Sequence, residues 1–286
     1  MKLILQDSNI GRAKFFGECL AELGKPLTKG PDLRQVTFEG KQLFPDAQPD
    51  PRFDPFRHGF STARCWAEGC LGWIWCQWLS STPSEVVRKE VEFVVARGMQ
   101  MQKQCANQDY RCLHDLWLLH CAILGSGRTQ LLELAELCVD SKGGKRVPAD
   151  NGELHAAAWC GMLKHWILGD VSKAKNEFEV VTNSHCHDIS RPAPLSLVKA
   201  FLSADWKEFS KVQKRDFKSR WDGLRKHGIV RSESKDETVI AFDRIGVPGR
   251  GWMWSHCALA KLAHRLGIQI QTDPFWFPAG ALECVL

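Results

Sequence analysis

Residues 117–142 read WLLHCAILGSGRTQLLELAELCVDSK, and residues 161–186 read GMLKHWILGDVSKAKNEFEVVTNSHC. Each is an apolar run ending in Leu and Gly, then a short polar turn, then an amphipathic run. In the first segment Leu131, Leu134, Ala135 and Cys138 fall at i, i+3, i+4 and i+7, the spacing of one buried helical stripe. Two more segments superpose on these. One is WIWCQWLSSTPSEVVRKEVEFVVARG from Trp73, where Val87, Val91, Val94 and Val95 share a face; the other is SLVKAFLSADWKEFSKVQKRDFKSRW from Ser196. The leucines at the turns are Leu79, Leu124, Leu168 and Leu202. Thr82 can cap the helix after it, with Pro83 in its first turn and Glu85 closing a capping box; Asp205 and Glu208 repeat the arrangement. Short turns between helices make antiparallel pairs, and stacked pairs bury a face that one pair leaves open. The pattern predicts an all-α fold of stacked antiparallel helical hairpins, with one or two small β-hairpins.

Outward from this repeat the sequence changes character. Residues 24–60 are rich in Pro and Gly, and Pro45, Pro49, Pro51 and Pro55 break any helix. Residues 1–60 therefore read as a short helix, about Gly11 to Leu23, and a Pro-rich connection, with a possible hairpin from Val36 to Leu43. Residues 61–286 read as the helical-hairpin domain, continuous with it. Beyond the last repeat, Ile229–Arg231 and Thr238–Phe242 suit a two-stranded ribbon. Trp252 to Leu266 is helical again, with Gly267 placed as its stop. The tail, QTDPFWFPAGALECVL, should pack down over the last helices.

Composition limits the classes that remain. The chain of 286 residues has ordinary apolar content and a net charge of +5, but twelve Trp, fifteen Phe and one Tyr, which implies a heavy aromatic core. The apolar run Leu3–Leu5 is too short for a secretory signal, and no stretch approaches a membrane span. A cytoplasmic protein is expected, its twelve cysteines reduced and mostly buried beside Leu, Trp and Ala. There is no C-x-x-C pair for a zinc ribbon.

Few residues suggest chemistry. No G-x-S-x-G elbow occurs, and His114 and Asp115, being sequence neighbours, should point to different faces of a helix. His185, Cys186, His187 and Asp188 could ligate a metal with Cys160 or His165, but adjacent residues seldom all reach one ion, and a polar loop is expected. Gly143-Gly144-Lys145 lacks the rest of a phosphate loop, and the GVPGRG run at 246–251 reads as a turn. Trp73, Trp75 and Trp78, and Trp252, Trp254 and Trp276, read as core. The basic helix Lys207–Lys226 followed by the ribbon has the outline of a winged helix. However, Asp216 and Asp222 interrupt its charge and Glu233, Asp236 and Glu237 make the ribbon loop acidic, so nucleic acid is not the expected partner. No catalytic residue, metal or cofactor is expected.

The segment GWMWSHCALAKLAHRLGIQIQTDPFWFPAGALE resembles the end of all-helical bacterial immunity proteins that accompany polymorphic or type VI secreted toxins, such as the Imm49 group and the immunity proteins of PoNe-type DNase effectors. The shared outline falls on Trp252, Trp254, Ala258, Leu259, Ala260, Gly267, Phe277, Pro278 and Leu282. It spans about 35 residues; the rest of the chain is alike only in helical character. The resemblance implies an all-α fold and an antitoxin that binds and neutralises one cognate toxin without enzymatic activity. Immunity proteins against basic nucleases are often acidic, whereas this chain is net positive, so a nuclease target would need a local acidic patch. Asp140, Asp150, Glu153 and Asp188, on loops after the helical pairs, are the carboxylates expected to meet the toxin. A helical scaffold or regulator for another protein partner is the first alternative, and a nucleic-acid binder through the basic helix Lys207–Lys226 the second. If the thiols are buried and reduced, mass measurement after alkylation in denaturant without reductant should find every cysteine modified, Cys70, Cys76, Cys121, Cys138 and Cys257 included; a fixed disulfide set would overturn the compartment.

Overall fold

The computed structural model describes residues 2–6, 37–38, 41–42, 71, 74, 78, 84–104, 111–142, 151–184, 193–226, 230–232, 237–241, 253–273 and 276–283. Within these the fold is all-α, with small strands at its margin. The helices are α1 (Ser84–Gln104), α2 (Arg111–Gly125), α3 (Arg128–Leu137), α4 (Asn151–Ile167), α5 (Val171–Asn183), α6 (Leu195–Leu202), α7 (Trp206–Lys226), α8 (Trp254–Arg265) and the single turn α9 (Gly280–Glu283). Leu71, Ile74 and Trp78 are also helical and buried, in the stretch expected as the first arm of the hairpin that ends in α1. Leu79 and Thr82 lie outside the described residues, as does the helix expected at 11–23.

Backbone chemistry makes the hairpins. At the end of α4 the Asp170 N–H reaches the His165 carbonyl at 2.8 Å and the Gly169 N–H reaches Trp166 at 3.1 Å, with Gly169 at φ +83°. The Asp170 carboxylate then accepts the Lys173 N–H and caps α5. The end of α6 repeats this. Asp205 N–H bonds the Ala200 carbonyl, Ala204 sits at φ 54°, and the Asp205 carboxylate accepts the Glu208 N–H. Both are left-handed helix stops followed by an aspartate cap. The equivalence pairs Gly169 with Ala204, which shifts the expected register by one residue. Leu168 is 38% exposed, while Leu202 is 6% exposed and part of the core. Gly267 stops α8 in the same way, at φ +80°.

The core is continuous through the stack. α2 lies against α1, α3, α4 and α8; α4 pairs with α5, and α6 with α7, as antiparallel hairpins. The expected stripes are buried: Val87, Val91, Val94 and Val95 on α1, and Leu131, Leu134, Ala135 and Cys138 on and after α3. Cys121, Cys160 and Cys257 are buried too, while Cys70 and Cys76 lie outside the described residues. The tail packs down as expected. Phe277 meets Trp78 edge-on at 6.3 Å, Trp276 meets Trp221 at 6.4 Å, and buried Lys261 gives its ammonium to the Ala281 and Leu282 carbonyls.

The strands hold one surprise. β2 (Thr37–Phe38) and β3 (Lys41–Gln42) form the expected hairpin, and β4 (Val230–Ser232) pairs antiparallel with β5 (Glu237–Ala241). β5 also pairs in parallel with β1 (Lys2–Gln6), Ile4 opposite Val239, so the ribbon is a three-stranded sheet. A pairing across more than two hundred residues leaves no local signal.

α2 sets the packing, so the cost of a void should be highest there. Leu118→Ala should lower unfolding free energy by about 2–5 kcal/mol in urea titrations, whereas Leu266→Ala, at an exposed position, should stay within about 0.5 kcal/mol of the parent.

Candidate functional site

The densest group of ionisable side chains off the core forms where the chain leaving α3 crosses the α4–α5 hairpin. Cys138 ends α3, and the Val139 N–H bonds the buried Asp115 carboxylate at 2.9 Å, which fixes the path of residues 139–142. Asp140 then meets α4. Its carboxylate accepts from His165 Nε2 at 3.2 Å and lies 3.9 Å from Lys164 Nζ, and the ammonium bonds the Cys138 carbonyl at 2.6 Å. Ser141 meets α5: its N–H and its hydroxyl both donate to Glu177, at 3.2 and 2.9 Å. The side chains of Asp140 and His165 are 15% and 12% exposed, and Glu177 is 4% exposed. The closeness depends on Gly161. A Cβ there would sit 2.7 Å from Asp140 Cβ and 2.9 Å from the Glu177 carboxylate, nearer than atoms pack.

Burial pushes the Glu177 carboxyl above its ordinary range. The two Ser141 hydrogen bonds pull the other way, and the Asp140 charge adds to the rise. One ligand atom each from Asp140, His165 and Glu177 lie within 4.8 Å of one another, a nitrogen-and-oxygen set of the kind zinc takes. The contacts already in place give the group another purpose. His165 and Lys164 face the Asp140 charge, and both Glu177 oxygens are engaged by Ser141, so the cluster works as a charge-compensated tie between α3, α4 and α5.

Beside it an open groove of about 420 Å³ runs along α5, lined by Lys142, Leu154, Asn176, Glu179, Val180 and Ser184. Behind Ser184 stands buried His155. Trp159 Nε1 donates to His155 Nε2 at 3.0 Å, so that nitrogen carries the lone pair and Nδ1 the proton. Nδ1 therefore donates to Ser184, to its carbonyl at 3.1 Å and its hydroxyl at 3.0 Å, and the hydroxyl donates to the Val180 carbonyl. An imidazole that presents N–H to a serine cannot take the serine's proton. The pair clasps the end of α5 to α4.

Three other histidines among the described residues, His256, His120 and His114, are also buried. His256 donates to Asp216 at 3.0 Å, and Asp216 also holds Arg220 at 2.9 Å; the Phe217 ring stacks on the imidazole at 4.9 Å. Burial drives the His256 pKa down against the pull of Asp216. Burial pushes the Asp216 carboxyl up, but the His256 hydrogen bond and the Arg220 charge outweigh it, and its pKa lies below the ordinary value. His120, buried at the α2–α8 contact, is pushed down to about 3 and is neutral near pH 7. His114 and Asp115 are not on different faces as expected: Nδ1 lies 3.4 Å from the carboxylate, and both are wholly buried.

Of the carboxylates expected to meet a toxin, Asp140 lies on the connection after α3 and takes part in the α3–α4–α5 tie. Glu153 falls in the first turn of α4, its side chain outside the described residues, and Asp150 and Asp188 lie outside them, with His185, Cys186 and His187. Sequence reasoning missed Glu177, Ser141 and Gly161. The one local signal was Gly161 itself, a glycine inside an apolar helix, which marks a close approach. No helix among the described residues is long and apolar enough to cross a membrane. No family model, curated protein or solved structure matches the chain.

The tie has a pH signature. A carboxyl whose pKa is raised by folding adds most stability below its unfolded value, and that part is lost as pH rises through the folded pKa. In Glu177→Gln the amide oxygen can accept the Ser141 N–H while its nitrogen donates to the hydroxyl, and this decline is removed, so the variant should gain on the parent as pH rises from 4 to 7 in thermal unfolding. Gly161→Val should destabilise at every pH, by about 1–3 kcal/mol.

Proposed function

We propose that this chain is an immunity protein: an antitoxin that binds one cognate secreted bacterial toxin in the cytoplasm and neutralises it by stoichiometric occlusion. The observation that carries the reading is the use made of the reactive side chains. His155, His165, His256, Asp115 and Glu177 are each held in contacts that join helices. A histidine whose lone pair is occupied by Trp159 serves packing rather than turnover. What this leaves outward is the helical faces and the connections between hairpins, broad surfaces suited to a protein partner.

The resemblance of the C-terminal segment supports the same reading. Trp254, Ala258, Leu259, Ala260 and Phe277 are buried, Gly267 ends α8, and Leu282 packs against the core. These residues close the stack, in keeping with the all-α fold that the resemblance implies. For the toxin contact, Asp150, Glu153 and Asp188 stay as the candidate carboxylates, while Asp140, tied to His165, contributes through the shape of the joint.

Neutralisation before damage requires a dissociation constant at or below the nanomolar range, roughly −12 kcal/mol, and an interface of standard size or more. Co-expression tests this. Cells making the toxin encoded beside this chain should die without it and survive with it, and protection should fail once toxin exceeds antitoxin in molar amount. Protection by a clearly sub-stoichiometric amount would replace binding with catalysis, and loss of binding on charge reversal at Asp150 and Glu153, with the fold kept, would locate the contact.

A further inference from the structure

The sequence made α7 look like a basic helix broken by Asp216 and Asp222, and the structure turns the first of these inward. At 3.6 residues per turn Lys207, Lys211, Lys214, Lys218 and Arg225 fall within an arc of about 60°, and all five are exposed. Phe209, Val212, Gln213 and Phe217 turn away from the stripe and are buried, and Trp221, beside the stripe's edge, is buried with the Arg225 guanidinium over its ring. Asp216 is on that inner side, bonded to Arg220 and His256, so it does not interrupt the outer stripe. With Arg215 and Lys226 the exposed surface of α7 holds seven cations. Against them stand Glu208, paired with Lys211 at 3.1 Å, and Asp222, between Lys218 at 2.7 Å and Arg225 at 3.3 Å. Among the described residues Lys207, Lys214, Arg215 and Lys226 form no ion pair. Residues 233–236, with Glu233 and Asp236, lie outside the described residues; the stripe belongs to α7 alone.

The partner follows from what accompanies the charge. Among the described residues the exposed large apolar side chains are Val86, Phe93, Leu168, Val171, Leu195 and Leu266, none of them on α7. A protein interface would place an apolar or aromatic anchor amid the charge, and a membrane-surface helix would carry an apolar face to insert. A single-strand binder would offer rings for stacking, whereas Trp206 packs against Phe201 and Phe209 and Trp221 is buried. A row of four lysines and Arg225 about 27 Å long, with no exposed large apolar side chain among the described residues of α7, fits the phosphates of a rigid double helix, which carries a charge about every 1.7 Å of axis.

We propose that the outward face of α7 is a sequence-independent docking surface for the phosphate backbone of double-stranded nucleic acid. The surface stands whether or not the chain is an antitoxin. Fluorescence anisotropy with a labelled 20-base-pair duplex of arbitrary sequence tests it on the full-length chain. Four phosphate contacts give a slope of log affinity against log salt of about −3.6, roughly a 150-fold loss between 50 and 200 mM NaCl. Joint replacement Lys207→Gln, Lys214→Gln and Lys218→Gln should leave the melting temperature unchanged and reduce that slope by about 2.7. The matching Lys→Arg triple should keep the binding, which separates charge from fold. No binding to the duplex at 50 mM salt would overturn the proposal, as would a slope untouched by the Gln triple. Tighter binding to single strands, to polyglutamate or to phosphatidylserine vesicles than to the duplex would overturn it as well, and would give the stripe to that partner.

Discussion

The fold depends on a helix that has no outside. From His114 to Ser126 every residue of α2 and its end is buried, so the chain must supply neighbours all around it, and α1, α3, α4 and α8 do so. Such a helix can carry polar groups only if the neighbours satisfy them. Asp115 accepts from Gln102 on α1 at 2.6 Å and from the Val139 N–H beyond α3 at 2.9 Å, while Arg265 of α8 gives its guanidinium to the Ile123 carbonyl at 2.6 Å, near the end of α2. Leaving a buried polar group without its hydrogen-bond partner costs about 1–3 kcal/mol. Each contact therefore fixes where a neighbouring helix lies as well as holding it.

The outer hairpins obey a local rule instead. α4 and α6 both stop on a left-handed residue and hand over to an aspartate cap, Gly169 with Asp170 and Ala204 with Asp205. Alanine tolerates that conformation less well than glycine, yet the same two backbone bonds form at both ends. Antiparallel order in the outer layers is thus set within a dozen residues. How the layers meet is set at a distance. Gly161 lets Asp140 and Glu177 close on α4, which draws the α3 exit onto the hairpin and shapes the neighbouring groove.

This division bears on function. Groups that could have been reagents are instead joints: His155 between Trp159 and Ser184, His256 between Asp216 and Phe217, Glu177 on Ser141. The charge left over is sorted by the same packing. Asp216 and Arg220 turn toward α8, and the cations on the far side of α7 form one row. That sorting of polar groups inward and charge onto an outer helix is the basis of both the antitoxin proposal and the duplex-binding one.

The sequence by itself determined the elements and their local order. Apolar spacing gave the stripes Val87–Val95 and Leu131–Cys138, and the aspartate before α7 and Gly267 after α8 gave helix boundaries. All of these depend on neighbours three to five residues apart, which a linear reading can see. Tertiary structure decided the rest. Asp140 was legible as a loop carboxylate but not as the partner of His165. His114 and Asp115 were legible as neighbours but not as members of a buried network with Gln102. β1 offered no sign that it would line up with β5 across most of the chain. Asp216 could be counted but not placed, because whether an acid cancels a basic helix depends on which side of the helix the core takes. The physical reason is common to all four: burial and pairing are properties of meetings between distant segments, and composition fixes what can pair while only the packed chain fixes what does.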